Sequence, residues 1–285
     1  MLKLLAVFTA ARVVWSMLAA LVVLIPIVLL VVVVMGVAST FSAVGGDFFS
    51  QCDTAVGPDP ASTVAATPTT AAVSVAAAGP QSDASPAVNP YAQITFADDD
   101  TQVSGWMRAC ATAMRYAPYQ SAPERFLNTG LAVDCAAMIA QSLTQRPDAF
   151  GADTDPAEVS ASIIRDASTA AGTPGSCDGD PADTGSLGDP AVRSVQCPTR
   201  TATGTVVLPE TLAVQSYCGS RVDPAAVSAG DLVFWGYENY APTRVGVAIG
   251  PQQIVCRDGA SGRMVQQALP TGRDVRIKRV LSAAQ

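Results

Sequence analysis

The sequence predicts an α+β protein in which helices come first and a small antiparallel sheet follows, with a transmembrane helix and a disordered stalk ahead of the folded domain. Residues 13–43 carry no charged side chain and are mostly apolar. Residues 44–90 are rich in Ala, Thr, Pro and Ser. Residues 91–285 contain apolar positions at helical spacing and then short Val- and Ile-rich runs, and this order is typical of an α+β domain.

The apolar run predicts one membrane span, because a helix needs about 20 apolar residues to cross a bilayer core. Lys3 and Arg12 precede the run and Asp47 follows it. The positive-inside rule therefore places residues 1–12 in the cytoplasm and the C-terminal domain outside the cell membrane, as in a signal-anchor protein. The alternative is a cleaved signal peptide with its cleavage site at residues 37–39, although the apolar core of such a peptide is normally shorter.

The segment 44–90 is interpreted as a stalk between the membrane and the folded domain. Its larger part, residues 57–90, has no aromatic and no basic side chain. Proline disfavours both helix and sheet, and Ala, Ser and Thr provide little surface to bury. A plain linker of no particular length is the alternative.

The charge balance excludes a nucleic-acid partner. The net charge is −7, and the only two lysines are Lys3 and Lys278. No basic cluster therefore exists to neutralise phosphates. The sequence also predicts no cofactor and no metal.

The seven cysteines all follow the apolar run, where an exported compartment permits disulfides. Because seven is odd, at least one thiol is free or pairs with another chain. Residues 172–204 are rich in Gly, Asp, Pro and Ser and predict a surface loop insertion. Cys177 and Cys197 bracket much of this insertion, and we predict a disulfide between them.

Three helices are predicted in the domain. The first covers residues 101–117, with apolar side chains at helical spacing and acidic residues ahead of its N-terminus. The second runs from Asp134 to Leu143, with Asp134 as its N-cap. The third runs from Pro156 to Ala171, because Asp155 is a suitable N-cap and Pro is favoured in the first turn.

Strands are predicted where β-branched and aromatic residues form short runs between Gly, Pro, Asn and Asp. The runs are residues 206–208, 231–235, 245–249, 253–255, 264–265 and 275–280. Gly230-Asp231 predicts a turn into a buried strand, and Gly246 predicts a close backbone approach or a bulge.

Residues 205–281 resemble the NlpC/p60 family of cell-wall cysteine peptidases, which have a papain-like fold. The segment LPET at 208–211, with Gln215, is similar to the family's L-P-x-T-x-x-x-Q motif. The segment SAGDLVFW at 228–235 resembles its P-G-D-L-V-F strand, and residues 243–255 resemble its H-V-G-I-Y-I-G hairpin.

The resemblance implies a cysteine nucleophile, a histidine base and a third polar residue. Cys135 follows Asp134 as the family's nucleophile follows its aspartate, but Ala136 and Ala137 replace Ser-Gly. A buried or disulfide-bonded cysteine is the alternative. Arg244 stands at the histidine position and Cys256 at the third, and the chain has no histidine. An arginine stays protonated, so it cannot act as the base.

Arg244 can instead hold an anion, such as a stem-peptide carboxylate, between two parallel hydrogen bonds. The alternative is a surface arginine paired with Asp231, Glu238 or Asp258.

Trp235, Tyr237 and Tyr240 follow in close order and predict either an aromatic platform for a ligand or the closure of a core beside a loop.

These features together predict a membrane-anchored, catalytically inactive domain that binds peptidoglycan or other envelope proteins. The first alternative is an active peptidoglycan endopeptidase that uses Cys135. The second is a membrane-complex subunit of a secretion or conjugation system.

Overall fold

The structure is a computed structural model that describes Cys177, Cys197 and residues 46–61, 89–151, 153–172 and 205–281. The chain divides into two compact units, residues 1–49 and 50–285. Only residues 46–49 of the first unit are described, and they are helical. The predicted membrane span, 13–43, lies outside the described residues. Among those described, no helix is both long enough and apolar enough to cross a membrane.

The second unit is an α+β domain, as predicted. The helix at residues 46–56, here α1, continues into it, and 3₁₀-helical residues Pro224–Ala226 precede the main strands. The other helices are α2 Gly105–Met114, α3 Leu131–Gln145, α4 Pro156–Gly172 and α5 Leu212–Gln215. The strands are β1 Ser220–Arg221, β2 Leu232–Glu238, β3 Ala241–Ala248, β4 Gln253–Arg257, β5 Met264–Ala268 and β6 Arg276–Arg279.

The strands form an antiparallel sheet in the order β1-β6-β2-β3-β4-β5. Successive side chains alternate between its faces. On one face Leu232 and Phe234 of β2 join the core cluster formed with α3 and α4. On the other face Val233 packs with Ile254 and Ile277 in a second, smaller cluster. The sheet is therefore buried on both sides in its centre, which explains the continuous apolar run of β2.

The N-terminal part of the predicted stalk belongs to the folded domain, which corrects the 44–90 boundary. Cys52 of α1 forms a disulfide with Cys110 of α2. The Trp106 indole donates to the Gly57 carbonyl at 2.9 Å. The Gln51 amide donates to the Gln120 carbonyl at 2.8 Å, and both glutamines are buried. Composition alone hid these contacts. Residues 62–88 of the predicted stalk lie outside the described residues.

The predicted Cys177–Cys197 disulfide is wrong. Cys177 bonds Cys135 of α3, and Cys197 bonds Cys218. Cys135 and Cys218 are both fully buried in the main core, so each bridge fastens one part of the 172–204 insertion to the domain instead of closing the insertion on itself. The remainder of that insertion lies outside the described residues. Cys256 is free and buried, which confirms the expected unpaired thiol.

Two predicted helices begin at other residues. In α2 the Ser104 hydroxyl accepts from the Met107 amide and caps the helix, so the helix begins at Gly105 and not at 101. In α3 the Gly130 carbonyl already accepts from the amides of Val133 and Asp134. Asp134 therefore lies in the first turn and is not the N-cap.

The third predicted helix agrees with α4 within one residue. The Asp155 carboxylate accepts from the Ala157 amide at 2.7 Å, as an N-cap does. The predicted strand at 206–208 does not form, because the Val206 amide donates to the Ser168 hydroxyl of α4 instead of to a neighbouring strand. The other five predicted runs each contribute to a strand.

The segment at 208–215 has a structural role in this chain. Thr211 caps α5 by accepting from the Val214 amide. The buried Gln215 side chain donates to the carbonyls of Pro209 and Ala157 and accepts from the Ser160 hydroxyl. Gln215 thereby connects α5 to α4, and every polar atom of its amide has a partner.

Candidate functional site

The candidate site is a polar cavity of about 350 Å³ beside the turn that joins β4 to β5. It is lined by Pro156 of α4, Thr243, Arg244 and Val245 of β3, Arg257 of β4, and the turn at residues 258–262. The sequence predicted Arg244 as a ligand-binding residue but did not predict the contribution of the turn at residues 258–262. The Asp-Gly and Ser-Gly pairs at 258–259 and 261–262 are the signal that marks this turn.

The strand register places Arg244 beside this turn. Gly246 of β3 pairs with Cys256 of β4, and Arg244 and Asp258, each two residues beyond this last pair, both line the cavity. A Cβ at Gly246 would lie 2.8 Å from Ile254 Cδ1 and 3.2 Å from the Cys256 Cβ. The glycine therefore allows β3 and β4 to pack closely, as predicted for a close backbone approach.

Asp258 is satisfied by its own turn. Its Oδ2 accepts from the Ser261 amide at 2.9 Å and from the Ser261 hydroxyl at 2.6 Å. These hydrogen bonds lower the pKa of Asp258, and the charge of Arg244 makes a smaller contribution in the same direction. The aspartate fixes the shape of the turn and remains ionised at neutral pH.

Arg257 is a structural arginine. Its Nε donates to the Gly262 carbonyl at 2.9 Å, and its Nη2 donates to the Gly151 carbonyl at 3.1 Å. Its Nη1 donates to the Thr154 carbonyl. The guanidinium therefore joins the turn to the connection between α3 and α4 and forms one wall of the cavity.

Arg244 is the cation available to a ligand. It is exposed, and its guanidinium makes no hydrogen bond or ion pair with any residue in the described part of the chain. Its Nη2 lies 3.6 Å from the position that a Cβ on Gly259 would occupy, and its Cζ lies 3.9 Å from it. The guanidinium thus rests against the turn where no side chain competes for the space.

The expected pairing of Arg244 with Asp231, Glu238 or Asp258 does not occur among the described residues. Asp231 pairs with Arg279 instead, in a buried ion pair at 2.8 Å. Asp258 is near but directs its carboxylate to Ser261. Arg244 therefore keeps its donors for another group.

Cys135 cannot act as a nucleophile in this structure, which corrects its assignment as the candidate catalytic residue. Its sulfur is bonded to Cys177, so there is no thiol to deprotonate. The side chain is fully buried in the main core and does not line the cavity. Cys135 and Arg244 therefore share no site.

Cys256 cannot act as the polar third residue. It is buried with only 4% of its surface exposed. Burial raises its pKa to about 11, despite an opposing effect of the Arg244 charge. At neutral pH Cys256 is thus a neutral thiol within the smaller core cluster.

The three aromatic residues lie apart from the cavity. Trp235 is the cross-strand partner of Arg244 but packs against the smaller core cluster. The Tyr237 ring covers Gly57, and burial raises the Tyr237 pKa well above its ordinary value. The Tyr240 hydroxyl lies next to Gly105 at the start of α2. None of the three lines the cavity.

Comparison with known proteins does not assign a function to the site, so the site is interpreted from its own residues. No protein-family model matches the chain. No curated protein matches it either.

Proposed function

We propose that this chain is a membrane-anchored, exported domain of the NlpC/p60-like, papain-like type that does not hydrolyse its ligand but binds a carboxylate of the cell envelope through Arg244. The observation that carries the proposal is the exposed guanidinium of Arg244, unpaired within the described part of the chain, in a polar cavity. A guanidinium with free donors binds a carboxylate through two parallel hydrogen bonds. Carboxylates occur on peptidoglycan stem peptides and on the surfaces of envelope proteins.

The absence of catalysis is supported by the same three positions that suggested the family. A thiol peptidase needs a thiolate and a group that accepts and returns a proton near neutral pH. Here Cys135 is in a disulfide, Arg244 stands where the base would be, and the chain has no histidine.

Export is supported by the disulfides. Three bridges connect six of the seven cysteines, and disulfides persist in oxidising compartments.

The proposed topology keeps residues 1–12 in the cytoplasm and the domain outside. A reporter fused after Asp53 is then active only outside the cytoplasm, and cytoplasmic activity at this junction would contradict the topology.

Ligand binding is tested by titrating the full chain in detergent with a stem peptide that ends in a free carboxylate, and with the same peptide as its amide. We expect the acid to bind and the amide to bind at least about tenfold more weakly, because one charge-assisted hydrogen bond contributes about 1.5–3 kcal/mol. Arg244→Gln should weaken binding of the acid by a similar factor.

The matched control is Arg263→Gln. Arg263 is exposed, makes a 3.3 Å ion pair with Asp148 and does not line the cavity, so the affinity should not change. Equal binding of acid and amide, or equal losses in the two variants, would contradict the Arg244 site. The same samples should release no cleaved peptide. Cleavage that disappears in Cys135→Ala would replace this proposal with the active endopeptidase.

A further inference from the structure

The cavity that is lined by Arg244 also contains a negative charge. Asp258 is the only acidic residue among the described residues that line it, and it is half-buried in the turn at residues 258–262. Hydrogen bonds within the turn lower the pKa of Asp258, so its carboxylate is ionised at neutral pH. Arg257, the other cation of the cavity, donates to three backbone carbonyls. One cation and one anion are therefore left in the same space of about 350 Å³.

The two charges do not neutralise each other. Neither Arg244 nor Asp258 forms an ion pair with any residue in the described part of the chain, and they form none with each other. Asp258 accepts from the Ser261 hydroxyl and from the amides of Ala260 and Ser261, which are all neutral donors. A carboxylate offers about four acceptor positions. Asp258 can therefore accept from one more donor, and that donor is free to carry a positive charge.

This arrangement disfavours a ligand that is only an anion. A carboxylate that approaches Arg244 also approaches Asp258, and the two negative charges repel each other. Charges of the same sign in a binding site exclude ligands as effectively as opposite charges attract them. A positive group on the same ligand reverses the effect of Asp258, because this group can contact Asp258 while the carboxylate contacts Arg244.

A primary ammonium suits Asp258 better than a guanidinium does. A guanidinium binds a carboxylate through two parallel hydrogen bonds, one to each oxygen. The Oδ2 of Asp258 already accepts from the Ser261 amide and the Ser261 hydroxyl, at 2.9 and 2.6 Å, so this double contact is blocked. An ammonium is compact and can use a single acceptor position.

We propose that the ligand of this site is zwitterionic, with a carboxylate that binds Arg244 and a primary ammonium on the same residue that binds Asp258. Two sources present these groups: the C-terminal residue of a peptide when its side chain carries an amine, and a free α-amino acid. A cavity of about 350 Å³ lies at the small end of ligand pockets and suits one such residue. This inference rests on the proposed carboxylate site at Arg244 and adds the second charge.

The test uses the full chain in detergent and two pairs of probes that differ in one charge. The first pair is the dipeptide acetyl-alanyl-lysine, with a free carboxylate, and the same dipeptide with its side-chain amine acetylated. The second pair is alanine and N-acetylalanine. The lysine pair has its ammonium on the side chain and the alanine pair has it on the α-carbon, so the pairs distinguish the two sources. Isothermal titration calorimetry measures the affinities.

We expect acetylation of the amine to weaken binding to the unmodified protein by at least about threefold in one of the pairs, which is the size of an exposed ion pair. Asp258→Asn should abolish this difference, because asparagine still accepts from Ser261 but carries no charge. The acetylated probe should bind Asp258→Asn at least as tightly as it binds the unmodified protein, since the repulsion is removed.

The matched control is Asp148→Asn. It removes a negative charge that is exposed and lies outside the cavity, so the full difference between the probes should remain. Thermal melting shows that both variants are folded. If Asp258→Asn does not fold, the comparison of the probes on the unmodified protein decides the question alone.

Equal binding of the charged and acetylated probes in both pairs would overturn the proposal. An equal loss of the difference in Asp148→Asn and Asp258→Asn would also overturn it. The C-terminal amide of acetyl-alanyl-lysine separates this failure from failure of the carboxylate site. Weaker binding of the amide without an effect of acetylation rejects the zwitterion and keeps the Arg244 site. No binding of any probe, or no effect of either change, rejects both.

Discussion

Arg279 and Asp231 form a bidentate ion pair inside the domain. The Arg279 Nε donates to Asp231 Oδ1 and its Nη2 to Oδ2, both at 2.8 Å. The Asp231 side chain is fully buried, and only 4% of the Arg279 side chain is exposed. Asp231 also accepts from the Ser228 amide. The pair joins the turn before β2 to β6 and, through the Phe126 carbonyl, to the segment that precedes α3.

Asp231→Ala should therefore lower the free energy of unfolding by about 3–5 kcal/mol, because it leaves a buried guanidinium without its counter-charge. Urea unfolding monitored by circular dichroism measures the change. Asp148→Ala is the control: it removes the exposed Arg263 pair and should cost less than about 1 kcal/mol. Similar losses in the two variants would show that the buried pair contributes no more than a surface one.

The Cys52–Cys110 bridge should stabilise the domain strongly. It closes a loop with a sequence separation of 58, for which the chain-entropy account gives about 4 kcal/mol. The double variant Cys52→Ser, Cys110→Ser should melt at a lower temperature than the unmodified protein, and reduction should lower the melting temperature of the unmodified protein. Mass spectrometry that finds these two thiols unbonded in exported protein would contradict the expectation.

Lys278 should make stability depend on pH. It lies on β6 opposite Arg221 of β1 and Leu232 of β2, and it is 1% exposed. Burial, with smaller contributions from the charges of Arg221 and Arg276, lowers its pKa to about 7. Between pH 7 and 9 the unfolded chain keeps the proton that the folded chain releases, so the free energy of unfolding should rise with pH in this window.

Lys278→Met should remove that rise and should stabilise the protein at pH 6, where the folded state otherwise buries a charge. Urea unfolding at pH 6 and pH 9 is the measurement. The range stops at pH 9 because the pKa of Cys256 is raised to about 11, so ionisation of this thiol in the unfolded chain reduces stability at higher pH. An equally steep rise in Lys278→Met would assign the effect to other groups.

Gly57 should not tolerate a side chain. Its φ is +79°, and a Cβ there would overlap the Tyr237 ring. Gly57→Ala should lower the free energy of unfolding by about 1–3 kcal/mol, from backbone strain and crowding. Gly250→Ala, where no atom lies within 4 Å of the added Cβ, should change it by less than about 0.5 kcal/mol. Equal stability of the two variants would mean that the tyrosine moves aside without cost.

The features predicted correctly from the sequence are those determined by neighbouring residues. Asp155 and Pro156 mark the start of α4 because capping involves groups two or three residues apart. The central strands follow from runs of β-branched and aromatic residues, and Gly246 was expected to allow a close approach. Each of these signals acts over a few residues, so a single sequence contains it.

The features that the sequence did not predict depend on residues far apart in the chain. Cys135 and Cys177 are 42 residues apart, and only the packed core brings them together. Cys52 lies in a segment whose composition resembles a linker, but its partner is on α2. Arg244 was found through its position in a motif, whereas its lack of an ion pair among the described residues reflects the pairing of Asp231 with Arg279. The tertiary structure determines which cysteines form disulfides and which charged side chains form ion pairs.

The Cys52–Cys110 bridge also determines which cuts by a protease could separate the domain from the residues that precede it. Residues 53–109 form a covalently closed loop, and this loop includes the Ala-, Thr- and Pro-rich segment. In a simple stalk, one cut between residues 62 and 88 would shed the whole C-terminal part. Here the same cut leaves two polypeptides joined through sulfur, which migrate as one species until a reductant separates them. Under the proposed membrane anchoring, release of the domain therefore requires cleavage before Cys52 or reduction of the bridge.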